Sequence, residues 1–510
     1  MPLARALAVA LTGLEGQLVE VECDLSAGLP GLTFTGRADG SVVESRDRVR
    51  SALVNSGVDW PNRKITVALL PADVRKVGSR FDLAIALAVL AAAEALPNEA
   101  VADAVWIAEL GLDGRLRPVR GVLPSVVAAR RLGVTRVVVA DANAAEAALV
   151  AGVDVRSASC LAEVIDWLTG RRPPPEPSVR PSDDDPHESG PDLADVAGQA
   201  TAKRALEIAA AGGHHLYMIG SPGAGKTMLA ERLPGILPPL DDRSAMEVTA
   251  VHSVAGLLPH PPRLVRRPPL QAPHHTASTA ALVGGGSSIA RPGAISLAHH
   301  GVLFLDEVTL FGGQSLDAMR QPLESGYVVL HRQAGAVRYP ARFQLVLAAN
   351  PCPCAQPADR CGCAPPARRR HEQRLSGPLM DRIDLRVHVE AVPHADLFDT
   401  TLPRESSATV AARVATARAA AAERWRHTHW RVNGDVPGST LRKPQWLLPS
   451  AALREVENFL EQGLLSARGF DRVLRIAWTL ADLAGRTVPD REDVGEALFF
   501  RTGRASAWAA

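Results

Sequence analysis

The stretch "HHLYMIGSPGAGKTMLAERLP", His214 to Pro234, limits what this chain can fold into more than any other. An apolar run of strand character ends at Gly220, a glycine-rich turn follows, and Lys226-Thr227 opens a run of helical character. Gly220, Ser221, Pro222, Gly223, Ala224, Gly225, Lys226 and Thr227 match the pattern G-x-x-x-x-G-K-[ST], with Met228 next in the helix. The glycines let backbone N–H groups turn inward, and the helix N-terminus adds its partial positive charge. Such a loop holds a nucleoside triphosphate. Lys226 is expected to reach the β- and γ-phosphates and Thr227 to ligate Mg²⁺. Lysine is scarce, found only at positions 64, 76, 203, 226 and 443, so a lysine inside a motif is not filler.

At 510 residues the chain has room for two to four domains, and 46% apolar with 22% charged residues is ordinary for core-forming protein. A formal net charge of +1 excludes a global basic field, so any nucleic-acid contact must come from local patches. No apolar run is long enough to span a membrane. The opening "MPLARALAVALTGLEG" faintly imitates a signal peptide but reads as a first strand. Of six cysteines, Cys23 and Cys160 stand alone and four crowd between Cys352 and Cys363. That is no disulfide framework, and it suits a cytoplasmic location.

Proline, serine and acidic residues in "GRRPPPEPSVRPSDDDPHESGPD" mark an extended or disordered linker, assigned to residues 171–191. It separates an N-terminal α/β domain, 1–170, from a nucleotide domain, 192–390, and a helical domain, 391–510. In the first, "SVVESRDRVRSALVNSG" is expected to be a helix with a capping box at Ser41 and Glu44 and a stop at Gly57. "KITVALL" reads as a buried strand and "FDLAIALAVLAAAEAL" as an almost wholly apolar helix. After the linker, "HLYMIG", "GVLFLDE" and "FQLVLAAN" are short continuous apolar runs, as a parallel sheet covered on both faces requires. Beyond Ala391 the runs turn helical, with Val473, Ile476, Ala477 and Leu480 on one face and Gly485 as a stop.

Asp306 and Glu307 end "GVLFLDE". The first carboxylate is placed to hold Mg²⁺ through its water shell, and the second to polarise the attacking water. Asn350, at the tip of the next strand, can orient that water or simply end a strand. Cys352, Cys354, Cys361 and Cys363 form a C-x-C…C-x-C pattern that either wraps a structural Zn²⁺ or leaves free thiols in a loop. The basic runs "ARRRHEQR" and "ERWRHTHWR" are open to nucleic acid or to plain solvation. The pairs His274-His275 and His299-His300 lack metal-ligand spacing and read as structural.

"LQAPHHTASTAALVGGGSSIARPGAISLAHHGVLFLDE", "NPCPC" and "SGPLMDRIDL" resemble the magnesium-chelatase-like AAA+ proteins of the YifB/ComM family. So do "VECDLSAGLPGLTFTG", "PADVRKVGSRFDLAIALA" and "LSARGFDRVLRIAWTLADLAG", in family order over nearly the whole chain. The resemblance implies an N-terminal Lon protease-like domain (ribosomal S5 domain 2-like), a P-loop AAA+ parallel-sheet core and a C-terminal helical lid. It implies Arg382 as an arginine finger acting on a neighbour's site, hence a homo-oligomeric ring, most simply a hexamer, and Arg475 as a second nucleotide sensor. It places "YVVLHRQAGAVRYPARFQLV" as a two-stranded hairpin toward a central pore, where Arg332 and Arg338 either touch DNA phosphates or are merely solvated. The Lon serine aligns with Arg80 and its lysine with the region of Leu123, and Ser79 has no evident base, so the domain is expected to be proteolytically inactive. The implied activity is ATP-driven helicase or branch-migration work on single-stranded or branched DNA, with no porphyrin and no membrane partner. The competing readings are a chelatase motor for metal insertion into a tetrapyrrole and an ATP-dependent protease.

Overall fold

A computed structural model describes residues 3–177, 190–286, 290–332, 335–356, 360–393 and 404–503. The expected linker falls mostly outside these residues. Two sheets organise the molecule. The first has seven strands in the order Gly31–Thr35, Lys64–Leu70, Glu15–Ser26, Ala4–Thr12, Val105–Ile107, Arg136–Ala140, Asp154–Ala158. Ala4–Thr12 and Glu15–Ser26 pair antiparallel through a turn at Gly13 and Leu14, and the far strands run parallel. The apolar helix expected after Phe81 spans Asp82–Ala92 and is buried on every side, which explains why it shows no polar face.

The expected capping box at Ser41 and Glu44 does not form. The cap is Asp39, whose carboxylate accepts the Val42 N–H, while Ser41 donates to Asp39 and accepts the Gly78 N–H. The helix is split into Gly40–Val43 and Ser45–Asn55. Both residues are good caps, and the one with its side chain free for the first turn prevails.

The second sheet has five strands, all parallel, in the order Leu270–Gln271, Val302–Leu305, Gln344–Ala349, Leu216–Gly220, Leu385–Val389. Residues 302–305 and 344–349 are buried without exception, the burial that a sheet covered on both faces imposes. Leu216 and Met218 join one core with the helices Ala200–Gly212 and Lys226–Ile236, whereas Tyr217 joins the opposite core with Leu303, Leu305 and Leu347. Leu216–Gly220 lies where the strand order reverses, since later strands flank it on both sides. Loops at the carboxyl ends of strands around such a switch point form the ligand crevice of open α/β sheets.

Four longer helices close the chain: Ser407–Arg424, Ser450–Glu461, Ala467–Leu483 and Arg491–Thr502. Their apolar faces share one core with the helices covering the parallel sheet. The N-terminal sheet is tied to the parallel-sheet unit by the helix Asp242–Ala255. Its Ala250 is buried in the N-terminal core, its Ser253 carbonyl accepts the Gly121 N–H at 3.3 Å, and its Ser253 hydroxyl donates to Glu146.

Candidate active site

The loop after Leu216–Gly220 turns because Gly223 and Gly225 take φ of +76° and +94°, which side-chain-bearing residues rarely adopt. At Gly220 the constraint is space, as a Cβ there would lie 2.2 Å from the Val389 carbonyl oxygen. Lys226 begins the following helix and folds back over the loop. Its Nζ donates to Gly220 O at 2.7 Å, Ser221 O at 2.9 Å and Asn350 Oδ1 at 3.2 Å. Burial pushes the Lys226 ammonium below its ordinary value, and the Asp306 and Glu307 carboxylates oppose that shift.

Asp306 follows Val302–Leu305 directly. One of its carboxylate oxygens accepts the Thr227 hydroxyl at 2.7 Å and the other accepts the Glu307 N–H at 2.8 Å. A hydroxyl beside a carboxylate is an oxygen set that suits Mg²⁺. Glu307 sits at φ +49°, ψ +44°, a left-handed conformation that costs a residue with a Cβ about 1–2 kcal/mol. The His275 ring comes within 3.7 Å of the Glu307 carboxylate. His275 is a neighbour that motif spacing did not reveal; its only sign was its place in the quoted stretch before the strand.

The structure therefore brings Lys226, Thr227, Asp306 and Asn350 together, with Glu307 at their edge. Arg382 is not hydrogen-bonded to this group. Its guanidinium donates to Pro378 O at 2.5 Å and to Glu324, and its buried Nε has no partner among the described residues. Arg475 lies elsewhere. Its charged neighbours are Arg472, Asp384, Asp471 and Asp435. Asp384 and His214 stand at the amino ends of two strands whose carboxyl ends border the loop. Six residues of extended chain separate His214 from Gly220, roughly 20 Å. Burial lowers the Arg475 guanidinium to about 10, and its Nε has no hydrogen-bond partner among the described residues.

The hairpin pairs Tyr327–Arg332 with Gly335–Pro340. Arg338 stacks on the Tyr327 ring at 3.6 Å, and the Arg332 side chain lies outside the described residues. The hairpin's second strand abuts the Gly13 turn of the N-terminal sheet. His299 and His300 each lie 3.3 Å from one oxygen of Glu247. His299 Nδ1 accepts the Arg342 N–H, so its proton is on Nε2, and the trio is a hydrogen-bonded cluster rather than a free ligand set. The four loop cysteines place their sulfurs within 4.8 Å of one another. In the N-terminal sheet unit, Ser79 donates to the Glu109 carboxylate and Arg80 donates to Ser125 Oγ and Arg120 O, so the group that meets Ser79 is a glutamate and not the lysine of a Lon-type pair. Among the described residues no helix is long and apolar enough to cross a membrane.

Residues 192–397 match the family described as magnesium chelatase, subunit ChlI, residues 21–143 that described as subunit ChlI of Mg-chelatase, and residues 404–501 the subunit's C-terminal family. The chain is 52% identical to an uncharacterised protein of Mycobacterium tuberculosis, covering 98% of this chain and 99% of that one. It is 41% identical to the uncharacterised protein YifB of Escherichia coli, over 96% of each. It is 40% identical to the competence protein ComM of Haemophilus influenzae, over 98% of each. Similarity of this extent, carried on a phosphate-loop crevice in an all-parallel sheet, makes the chain a member of the YifB/ComM family of magnesium-chelatase-like AAA+ ATPases.

Proposed function

We propose that the protein is a Mg²⁺-dependent, ATP-hydrolysing ring motor that moves DNA, as a helicase or branch-migration enzyme on recombination intermediates in transformation or repair. The observation that carries the reading is the division of labour between two places. Lys226, Thr227, Asp306, Glu307 and Asn350 converge at the carboxyl edge of the sheet, while the Arg382 guanidinium is turned to Glu324 and Pro378. A cation needed at the transferred phosphoryl group then comes from the next protomer, which requires a ring, in our reading a hexamer.

Within one site, backbone N–H groups of residues 220–227 and the Lys226 ammonium hold the phosphates. Thr227 and Asp306 hold Mg²⁺, which supplies charge neutralisation when bound. Glu307 takes up the proton of the attacking water and Asn350 orients that water. Arg475 has no part in the hydrolytic centre of its own protomer. The N-terminal unit, which we read as an inactive Lon-like domain over residues 1–170, serves ring assembly or substrate loading. The C-terminal helices act as the lid over 391–510, beyond the 192–390 core. Arg338 and Arg332, on the hairpin, are the DNA contacts toward the pore, and the cell compartment is the cytoplasm. A full-length relative named as a competence protein supports the DNA reading. The chelatase alternative has the matched family descriptions on its side.

The test is ATP-dependent migration of a synthetic four-way junction by the wild type and by Glu307→Gln. The wild type should migrate the junction, and the variant should lose about a hundredfold or more in rate while still binding ATP. Migration by both or by neither contradicts the reading. ATPase stimulation by a porphyrin-carrying partner, without stimulation by branched DNA, would favour the chelatase motor.

A further inference from the structure

Directly after Asn350 the chain enters the cysteine loop and returns as the helix Pro365–Glu372. Cys352 Sγ lies 3.1 Å from Cys354 Sγ and 3.3 Å from Cys361 Sγ, and Cys354 Sγ lies 3.5 Å from Cys361 Sγ. All four sulfurs, Cys363 included, fall within 4.8 Å of one another. A disulfide would bring one pair to about 2.0 Å and give the other two sulfurs no reason to join it. A tetrahedral S₄ zinc site, with Zn–S near 2.3 Å, sets every sulfur pair about 3.8 Å apart, within the 3.1 Å to 4.8 Å over which the four side chains of this loop place their sulfurs.

The surroundings are those of metal-bound thiolates. The Cys354 N–H is turned to Cys352 Sγ and the Cys363 N–H to Cys361 Sγ. Arg368, from the densest basic run of the chain, donates to Cys361 Sγ and to Cys361 O, both at 3.3 Å. Four thiolates around Zn²⁺ leave two net negative charges, and that guanidinium offsets part of them. The loop has little core of its own: among the four cysteines only Cys352 is buried. An ion is the means by which such a segment acquires fixed geometry.

The returning helix carries His371, which is buried. Its Nε2 lies 3.1 Å from the Asn350 carbonyl oxygen and 3.3 Å from the Thr309 hydroxyl. Thr309 belongs to the turn that follows Glu307. One imidazole thus joins the end of the Asn350 strand to the Glu307 turn, and the helix that carries it begins two residues after Cys363.

We propose that Cys352, Cys354, Cys361 and Cys363 bind one structural zinc ion, and that His371 transmits the order of that site to Asn350 and to the turn after Glu307. Binding takes four thiols to four thiolates, releasing four protons to solvent as four Zn–S bonds form, with no change of oxidation state. The zinc site depends only on the cysteines; its effect on hydrolysis rests on the ATPase reading above.

The experiment is metal analysis of the purified full-length protein, paired with hydrogen exchange measured without ATP. The wild type should carry about one zinc per chain, and Cys361→Ser/Cys363→Ser less than a tenth of that. Removing zinc from the wild type with a chelator should speed exchange at least tenfold around Asn350 and residues 308–310, with the helix Ala200–Gly212 unchanged. His371→Ala should keep its zinc and show the faster exchange at residues 308–310 without chelator. A wild type that takes up no zinc, that carries iron instead, or whose cysteines pair as disulfides would overturn the site. Zinc bound with no change in exchange on its removal would overturn the transmission. None of these readouts depends on DNA or on ATP turnover, so they fail separately from the proposed function.

Discussion

At the scale of single residues, the proposed hydrolytic centre is a set of polar atoms satisfied by one another. The Lys226 ammonium meets two carbonyls and Asn350, and Thr227 meets Asp306. Arg475 belongs to a different set of charges, so we predict that Arg475→Met changes stability and not nucleotide handling within the protomer. Its melting temperature should fall, for a loss of about 1–3 kcal/mol, with ATP affinity within twofold of wild type. Calorimetry and a nucleotide titration check this, and a tenfold loss of ATP affinity at unchanged stability would contradict it. His214 gives a pH dependence. It is fully buried, donates to or accepts from Thr479 at 2.8 Å, and burial lowers its imidazole to about 4 from an ordinary 6.5. Between these two values the unfolded chain binds the proton and the folded chain does not. Stability is therefore full at neutral pH and falls as pH drops from about 6.5 toward 4, by at most about 3 kcal/mol from this residue. Denaturant titrations at pH 7 and 5 should show the loss, and His214→Gln should make it smaller, leaving the parts that buried His215 and His299 contribute over the same range. An identical slope in the variant would remove His214 as the cause.

At the scale of elements, the Gly13 turn of the N-terminal sheet packs directly against the second strand of the hairpin. Gly13 has φ +67°, and a Cβ there would lie 2.9 Å from Arg338 O and 2.9 Å from a Val337 methyl. Gly13→Ala must push the hairpin strand away or distort the turn. If that hairpin carries the DNA contact, the variant should bind single-stranded DNA several-fold more weakly, with basal ATP hydrolysis within about twofold of wild type. Filter binding beside an ATPase assay decides it, and unchanged DNA affinity would detach the hairpin from DNA. What could be read from the sequence follows the same division between local and distant causes. The phosphate loop was legible because its need for left-handed glycines and a following helix is written in consecutive residues. So were Val302–Leu305 and Gln344–Ala349, apolar apart from Gln344, whose short runs suit a doubly covered strand. The helix cap at Asp39 rather than Ser41 was not, because either side chain can cap and Gly78 engages Ser41. Nor was the position of Arg475, since which end of the sheet an arginine on the helix Ala467–Leu483 approaches is set by packing. The approach of His275 to Glu307, and the bridge His371 makes between Asn350 and Thr309, are contacts distant in sequence that no spacing rule encodes.

At the scale of the whole molecule, the proposed motor turns on one interface, where a site in one protomer would be completed by Arg382 of the next. Protomers carrying Lys226→Ala lack a working site but keep the arginine, whereas protomers carrying Arg382→Ala keep the site but lack the arginine. Each variant alone should hydrolyse ATP at least about a thousandfold more slowly than wild type. Mixed in equal amounts with branched DNA and allowed to exchange subunits, they should recover about a quarter of wild-type turnover per chain, the share of random interfaces that join an intact site to an intact arginine. Mixtures that stay as inactive as either variant, or Arg382→Ala protein that turns over ATP at the wild-type rate by itself, would contradict the claim.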